Sequence, residues 1–272
     1  MDVRGGGRRH GYAHLIVTLA DGRQAFVKAV ADGATGDAAA IGAEANGLRW
    51  LAEPGAARVP TLLAADDTLL VSELVPPGEP TPESARRFGA SLASLHAAGA
   101  PSFGAPWPGY IAALPLDNEQ TGGGWPSWYA HRRLLPYLRR ARDNGALSSS
   151  DAAPIEAVIE RIDDLSGPAE PPSRIHGDLW NGNVLWSGDD GWLIDPAAHG
   201  GHRETDLAML ALFGAPFLDR ILRAYADVAP LADGWRGRVP LHQLHPLLVH
   251  ACLFGSGYAA EAREAALAAL RA

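Results

Sequence analysis

The chain has 272 residues, 47% of them hydrophobic and 20% charged, which excludes a disordered or collagen-like polymer and suffices for one large domain or two lobes around a buried core. Lys plus Arg number 23 against 31 Asp plus Glu, a net charge of −8, so no broad electrostatic attraction draws it to nucleic acid or an anionic membrane. The single cysteine, Cys252, excludes an intramolecular disulfide and a cysteine-based zinc site, in keeping with a reducing cytoplasm.

No apolar signal segment opens the chain, and the uncharged stretches 88–116 and 239–260 are interrupted by Pro, Gly and His. Neither reads as a membrane span. A cytoplasmic protein without nucleic-acid or membrane partners is expected.

Tyr12 to Leu19 and Arg23 to Val30 read as two antiparallel strands joined by a tight turn at Asp21-Gly22, where glycine supplies the positive φ. Alternation places Phe26, Lys28 and Val30 on one face. Taken alone, Lys28 is an amphipathic side chain with a packed stem and its amine in water. Asp37 to Ala52 has helical periodicity, and Glu44 falls on the same stripe as Ile41, Leu48 and Leu51. A carboxylate on a core-facing stripe is costly unless a cation meets it, and Lys28 is the candidate partner. In phosphoryl-transfer enzymes such a pair aims a strand lysine at the nucleotide phosphates; two unrelated surface charges are the plain alternative.

Leu62 to Ala65 and Thr68 to Val75 are further strands, the second running into Pro76-Pro77-Gly78. The expected division is a nucleotide-binding lobe over 1–75, a linker over 76–80 and a catalytic, substrate-binding lobe over 81–272. A strand leaving a sheet into such a connector exposes backbone groups that can pair with an adenine edge, unless the segment is an ordinary linker. Thr81 caps a helix beginning at Pro82 and stopped by Gly99. Loops are expected over 100–124, then helices over 128–142, 150–165, 204–213, 217–228 and 241–254, with a last helix to the chain end. His96 reads as packed. His242, His245 and His250 share one helix but lack an evident carboxylate partner for a metal.

The chemistry concentrates in His176-Gly-Asp-Leu-Trp-Asn-Gly-Asn183, a Ser187 to Gly191 turn, and Ile194-Asp195-Pro196. Asp178 and Asn183 have the spacing D-x-x-x-x-N. Two short strands joined by the turn bring Asn183 and Asp195 together, giving oxygen ligands suited to hard Mg²⁺ bridging the phosphates of ATP. Asp178, free of the metal, is positioned to take the proton of an attacking hydroxyl.

The string His176 to Asn183, with Ile194-Asp-Pro-Ala and Gly201-His-Arg-Glu-Thr-Asp-Leu-Ala-Met209, resembles the fructosamine kinase (ketosamine 3-kinase) family, which groups with the aminoglycoside phosphotransferases. The similarity extends to Phe26-Val-Lys28, Pro115-Leu-Asp-Asn118, Arg132-Arg-Leu134, Leu212-Phe-Gly214 and His250-x-x-Leu-Phe-Gly255. The resemblance implies an α+β, bilobal protein-kinase-like fold: a small antiparallel sheet with one helix, then a larger helical lobe carrying a catalytic hairpin. It implies ATP-dependent phosphorylation of the 3-hydroxyl of a small-molecule or protein-bound ketosamine, a deglycation step. A monomer is expected, although the sequence does not determine the oligomeric state. By the same resemblance Asp178 is the proton acceptor, Asn183 and Asp195 the Mg²⁺ ligands, Lys28 and Glu44 the phosphate-orienting pair, and Glu73 to Val75 the hinge. His176 and Asp206 support the catalytic loop, while Arg203 and Glu204 line the cleft. Trp180 either packs on the sugar or belongs to the core. Gly7 belongs to the nucleotide loop, Gly6-Gly7-Arg8-Arg9-His10-Gly11, which lacks the cysteine that some relatives carry there.

Two rival functions remain open at this level: a kinase for an aminoglycoside or amino alcohol, and a nucleotide-binding protein without catalysis. Intact Lys28, Asp178, Asn183 and Asp195 weigh against the second.

Overall fold

The structure is a computed structural model that describes residues 2–4, 7–9, 11–31 and 38–272. Its N-terminal part is a six-stranded antiparallel sheet of β1 (Asp2–Arg4), β2 (Arg8–Arg9), β3 (Tyr12–Thr18), β4 (Gln24–Val30), β5 (Leu62–Ala65) and β6 (Leu69–Glu73). The path runs β1-β3-β4-β6-β5, with β2 paired to β3. One helix, α1 (Ala38–Ala52), crosses it. Tyr12, Ile41, Ala45, Leu48 and Leu70 form a small core between them, which the Ile41/Leu48 stripe anticipates. Strand β6 ends at Glu73, two residues short of the expected Val75, and Leu74-Val75 leave the sheet toward the helical lobe.

The larger lobe begins with α2 (Pro82–Ala97), whose capping box is Thr81 with Ser84. The expected loop over 100–124 contains a short hairpin, β7 (Gly109–Ile111) and β8 (Leu114–Leu116). Three-residue strands carry too little periodicity to register in a sequence. The next helix starts at Trp125, three residues early, because Pro126 suits a first turn. It runs as α3 (Trp125–Tyr129), a π-helical turn over Ala130–Leu134, and α4 (Leu135–Asp143). The expected helix over 150–165 is two, α5 (Ser149–Glu160) and α6 (Ile162–Leu165), broken at Arg161. Then come β9 (Ser173–Ile175), β10 (Val184–Ser187), β11 (Asp190–Leu193) and β12 (His199–Gly201), followed by α7 (Arg203–Leu212) and α8 (Leu218–Val228). Helix α9 (Trp235–Phe254) begins six residues before the expected Leu241 and passes through Pro240 and Pro246, its buried face outweighing the two missing N–H donors. The chain closes with α10 (Ala259–Ala269). Among the described residues no helix is long and apolar enough to cross a membrane.

Two features join the lobes. Trp50 and Leu51, at the end of α1, belong to the core that α2, β10, β11, α7 and α8 share. The hairpin β10–β11 is tied back by backbone bonds: Leu193 N–H to the Arg58 carbonyl at 2.9 Å, and Gly78 N–H to the Trp186 carbonyl at 2.7 Å. The hairpin that follows the catalytic string is thereby fixed to the segments flanking β5 and β6.

Candidate active site

Strand β9 delivers the chain into a tight loop at His176-Gly177-Asp178. Asp206, fully buried on α7, accepts the backbone N–H groups of His176 at 2.7 Å and Gly177 at 3.0 Å, and His96 Nε2 at 3.1 Å. Burial opposes its charge, but the His96 hydrogen bond and the backbone donors outweigh that and hold its carboxyl below the usual range. His96, as expected, is packed, with Nδ1 2.8 Å from the Tyr225 hydroxyl. His176 Nε2 donates to the Ile194 carbonyl at 2.9 Å, which leaves Nδ1 to accept the Asp178 N–H at 3.3 Å. Burial lowers the His176 pKa, so the ring is neutral and one tautomer serves both bonds.

Residues 181–183 make one 3₁₀ turn, and the β10–β11 hairpin, closed by Ser187 opposite Asp190, returns the chain so that Ile194 N–H meets the Asn183 carbonyl at 3.1 Å. Asn183 and Asp195 therefore face each other across the hairpin base. Asn183 Nδ2 donates to the Asp178 carbonyl at 2.8 Å and to Asp178 Oδ2 at 3.0 Å. Asp195 sits at φ 50°, in the left-handed region that costs a non-glycine residue about 1 kcal/mol or more, a strain typical of functional positions. Its Oδ1 lies 3.1 Å from Lys28 Nζ, and the same ammonium lies 2.6 Å from Glu44 Oε2.

The strand lysine, the helix carboxylate and the hairpin aspartate thus form one linked group spanning both lobes, with Lys28 and Glu44 largely covered and Asp195 open to solvent. Burial opposes the Lys28 ammonium, yet Glu44 and Asp195 together raise its pKa. Burial likewise raises Glu44, with Lys28 pulling the other way, while Asp195 is held low because Lys28 outweighs its burial. Burial pushes Asp178 up to about 7, with the Asn183 bond opposing and the Asp195 and Asp206 charges adding. A carboxyl poised there suits proton transfer near neutral pH.

The approach of α1 to the hairpin needs a glycine. A Cβ on Gly47 would lie 3.2 Å from both the Ala198 Cβ and the Pro196 Cγ, so the helix backbone rests directly on the segment following Asp195.

Other expected site residues fall differently. Trp180 is 41% exposed, lies flat over Gly182 and meets Phe213 edge-on at 6.2 Å. Phe213 contacts His250 at 5.1 Å, and His250 contacts Phe254 at 5.4 Å and Tyr258 at 4.9 Å. This aromatic wall is a feature the sequence reading missed, although His250 to Gly255 lay in the family pattern; it is assembled from four separate segments. Arg203 is not directed at Asp178: it pairs with Glu170 through two 2.7 Å bonds. Glu204 is 2% exposed and pairs with Arg238 at 2.6 and 2.9 Å. Both expected cleft residues are spent on ion pairs that fasten the start of α7. Glu204 does supply the carboxylate missing beside His242, grouping with His202, but Arg238 already occupies it. Gly7 is exposed, and its carbonyl accepts the His14 N–H at 3.0 Å. Gly6 and His10, expected in the same loop, lie outside the described residues. Glu73 pairs with Ala25 and donates its N–H to Thr61, while Val75 is buried.

Comparison with known proteins agrees with this geometry. An aminoglycoside phosphotransferase in ternary complex with ADP and hygromycin B superposes with a TM-score of 0.67 at 13% identity, covering 99% of this chain and 93% of that one, and shares the fold. The fold is thus that of the kinase-like phosphotransferases, and the family match makes the protein an ATP-dependent kinase. Within that class the chain belongs to the fructosamine kinase family, whose model matches residues 3–271. A probable ketoamine kinase of Thermus thermophilus is 35% identical over 216 residues, 79% of this chain and 77% of that protein. A candidate fructosamine-3-kinase of Thermobifida fusca YX-ER1, known from its crystal structure, is 55% identical with a TM-score of 0.97, covering 100% of this chain and 94% of that one.

Proposed function

We propose that the protein transfers the γ-phosphoryl group of ATP to the 3-hydroxyl of a ketosamine, a fructosamine, ribulosamine or erythrulosamine, as a step in deglycation. The observation that carries this reading is the chain of contacts from Asp178 to Asn183 at 3.0 Å, from Asn183 to the Asp195 backbone carbonyl at 3.5 Å and from the Asp195 carboxylate to Lys28 at 3.1 Å. In this reading the acceptor hydroxyl gives its proton to an Asp178 oxygen as its own oxygen bonds the γ-phosphorus, and the bond to ADP breaks. Lys28, held by Glu44, meets the α- and β-phosphates, and the Glu73 to Val75 backbone meets the adenine.

Asn183 and Asp195 would hold Mg²⁺. The fit rests on chemistry: both Asp178 oxygens facing Asn183 are acceptors, so the amide nitrogen turns toward them and the amide oxygen is left as a ligand atom, which with the exposed Asp195 carboxylate would make an oxygen-only donor set. When bound, the ion neutralises charge developing on the phosphates. An all-oxygen pair suits it.

Trp180 with Phe213, His250, Phe254 and Tyr258 supplies a cluster of mutually tilted aromatic rings next to the catalytic string, suited to the carbon face of a sugar or the alkyl arm of its amine. The reading is tested by incubating the protein with Mg-ATP and a panel of fructose-, ribulose- and erythrulose-amines beside aminoglycosides, following ADP release and the product's phosphorus spectrum. Phosphorylation of a ketosamine at O3 is expected. Turnover confined to aminoglycosides would reverse the assignment.

A further inference from the structure

Arg174 stands on β9 four residues before Asp178 and takes no part in the site described above. Its side chain is 12% exposed, and its bonds lead elsewhere. One Nη1 donates to the Trp50 carbonyl in the last turn of α1 and, at 2.9 Å, to Glu53 Oε2 just beyond it. The guanidinium centre lies 4.3 Å from the Trp50 ring. Nε reaches the Gly99 carbonyl, past the end of α2, at 3.4 Å.

The end of α1 and the turn that follows α2 therefore converge on one cation. The Trp50 carbonyl, at the negative end of the α1 dipole, also takes the Glu53 N–H at 3.3 Å, so Arg174 adds a charged donor to the turn that closes the helix. Of the two helices, α1 carries Glu44. The middle of α1 rests on Pro196 and Ala198 through Gly47, and its end is fixed by Arg174; the attachments lie on either side of the catalytic loop in sequence.

We propose that Arg174 is a positioning residue: by clamping the end of α1 to the strand that leads into Asp178, it sets the Lys28–Glu44 pair in register with the catalytic loop. The proposal rests on the phosphate-orienting role given to Lys28 above. Arg174 does not touch the reacting atoms and acts through α1. Arg174 thereby adds to the packed and backbone contacts that join the lobes a tie at the end of the helix that carries Glu44.

The test uses Arg174→Met, which keeps the apolar stem without donors, and Arg174→Lys, which keeps the charge but cannot fork. Mg-ATP affinity is measured by equilibrium titration and α1 order by hydrogen exchange, neither of which needs an acceptor, so an error in the assigned substrate leaves the test intact. Loss of the clamp should weaken Mg-ATP binding about 10-fold in the Met variant, with partial recovery in the Lys variant. Amides of residues 44–52 should exchange at least about 10-fold faster while those of α9 stay as in the parent. With a working acceptor, kcat should fall and the acceptor KM stay within about twofold. Glu53→Gln, which leaves the Trp50 bond, should bind Mg-ATP within about twofold of the parent because its carboxylate is mostly solvated. Unchanged nucleotide affinity in a folded variant overturns the proposal, as does faster exchange spread equally over α1 and α9. Should the Met variant fail to fold, the Lys variant is read by the same measurements, and the same two results overturn the proposal.

Discussion

Asn183 meets Asp178 through its amide nitrogen, with Nδ2 3.0 Å from Oδ2 and 2.8 Å from the backbone carbonyl. One side chain thus steadies the proposed base, and the same amide nitrogen lies 3.5 Å from the Asp195 backbone carbonyl, so the loop and the hairpin base meet at a single amide.

The first prediction concerns pH. Burial raises Asp178 to about 7, and only the ionised form accepts a proton, so kcat/KM should rise with pH along a limb centred near that value. Asn183→Asp puts a second carboxylate beside it and should move the limb upward. A rate already level from about pH 5 in the parent would remove Asp178 from the role of base.

The same residue makes a stability prediction. A carboxyl whose folded pKa lies above its unfolded value binds more protons in the native state, so its ionisation costs stability as pH rises through that interval. Asp178→Asn should abolish transfer yet raise Tm near pH 8 by about 3 °C or more, a gain that shrinks toward pH 4. Thermal melts at both pH values decide it; a lower Tm at the higher pH contradicts the burial argument.

Lys28→Met removes the cation between Glu44 and Asp195, leaving the buried Glu44 carboxylate without its partner beside the solvent-exposed Asp195. An uncompensated buried carboxylate is destabilising, so urea unfolding should shift as well as activity. Adding Glu44→Gln should restore part of the stability without restoring the rate. Failure of the second change to recover any stability would show that the carboxylates are relieved in another way.

Gly47→Val should be poorly tolerated. The added carbons enter a space already at 3.2 Å from Pro196 and Ala198, and overpacking of this kind costs about 1–3 kcal/mol. Because α1 carries Glu44, the KM for Mg-ATP should rise with the loss of stability. The same change at Gly42, where nothing lies within 4 Å of a Cβ, should leave that KM unaltered.

On the acceptor side, Trp180→Ala should raise the ketosamine KM about 10-fold and leave the ATP KM unchanged, since the indole is exposed on the wall described above. Equal effects on both substrates would place the indole in general packing of the catalytic loop.

Much of this architecture was legible in the amino acids because the signals were local. The Asp21-Gly22 turn, the Thr81 cap, the limits of β5 and the hairpin between Asn183 and Asp195 follow from turn chemistry, capping and short-range alternation, and appear where expected. What escaped was weakly periodic or assembled at long range. The β7–β8 hairpin is three residues a strand, α9 overrides two prolines, and the π-helical turn over Ala130–Leu134 leaves no mark that a helical pattern would not also leave. Arg203 and Glu204 sit in the family string, and their neighbours along the chain suggested a cleft; Glu170 and Arg238, tens of residues away, claim them instead.

Residue types and spacing were enough to define the chemistry: a lysine on a strand, a carboxylate on a helical stripe, and Asp178, Asn183 and Asp195 around one turn admit few uses besides phosphoryl transfer. Folding in three dimensions settled which charges are shared and which are spent. Whether Lys28 serves one carboxylate or two, whether Trp180 is exposed, and what Arg174 holds depend on burial and distance between remote segments, and those arise only when the lobes pack against each other.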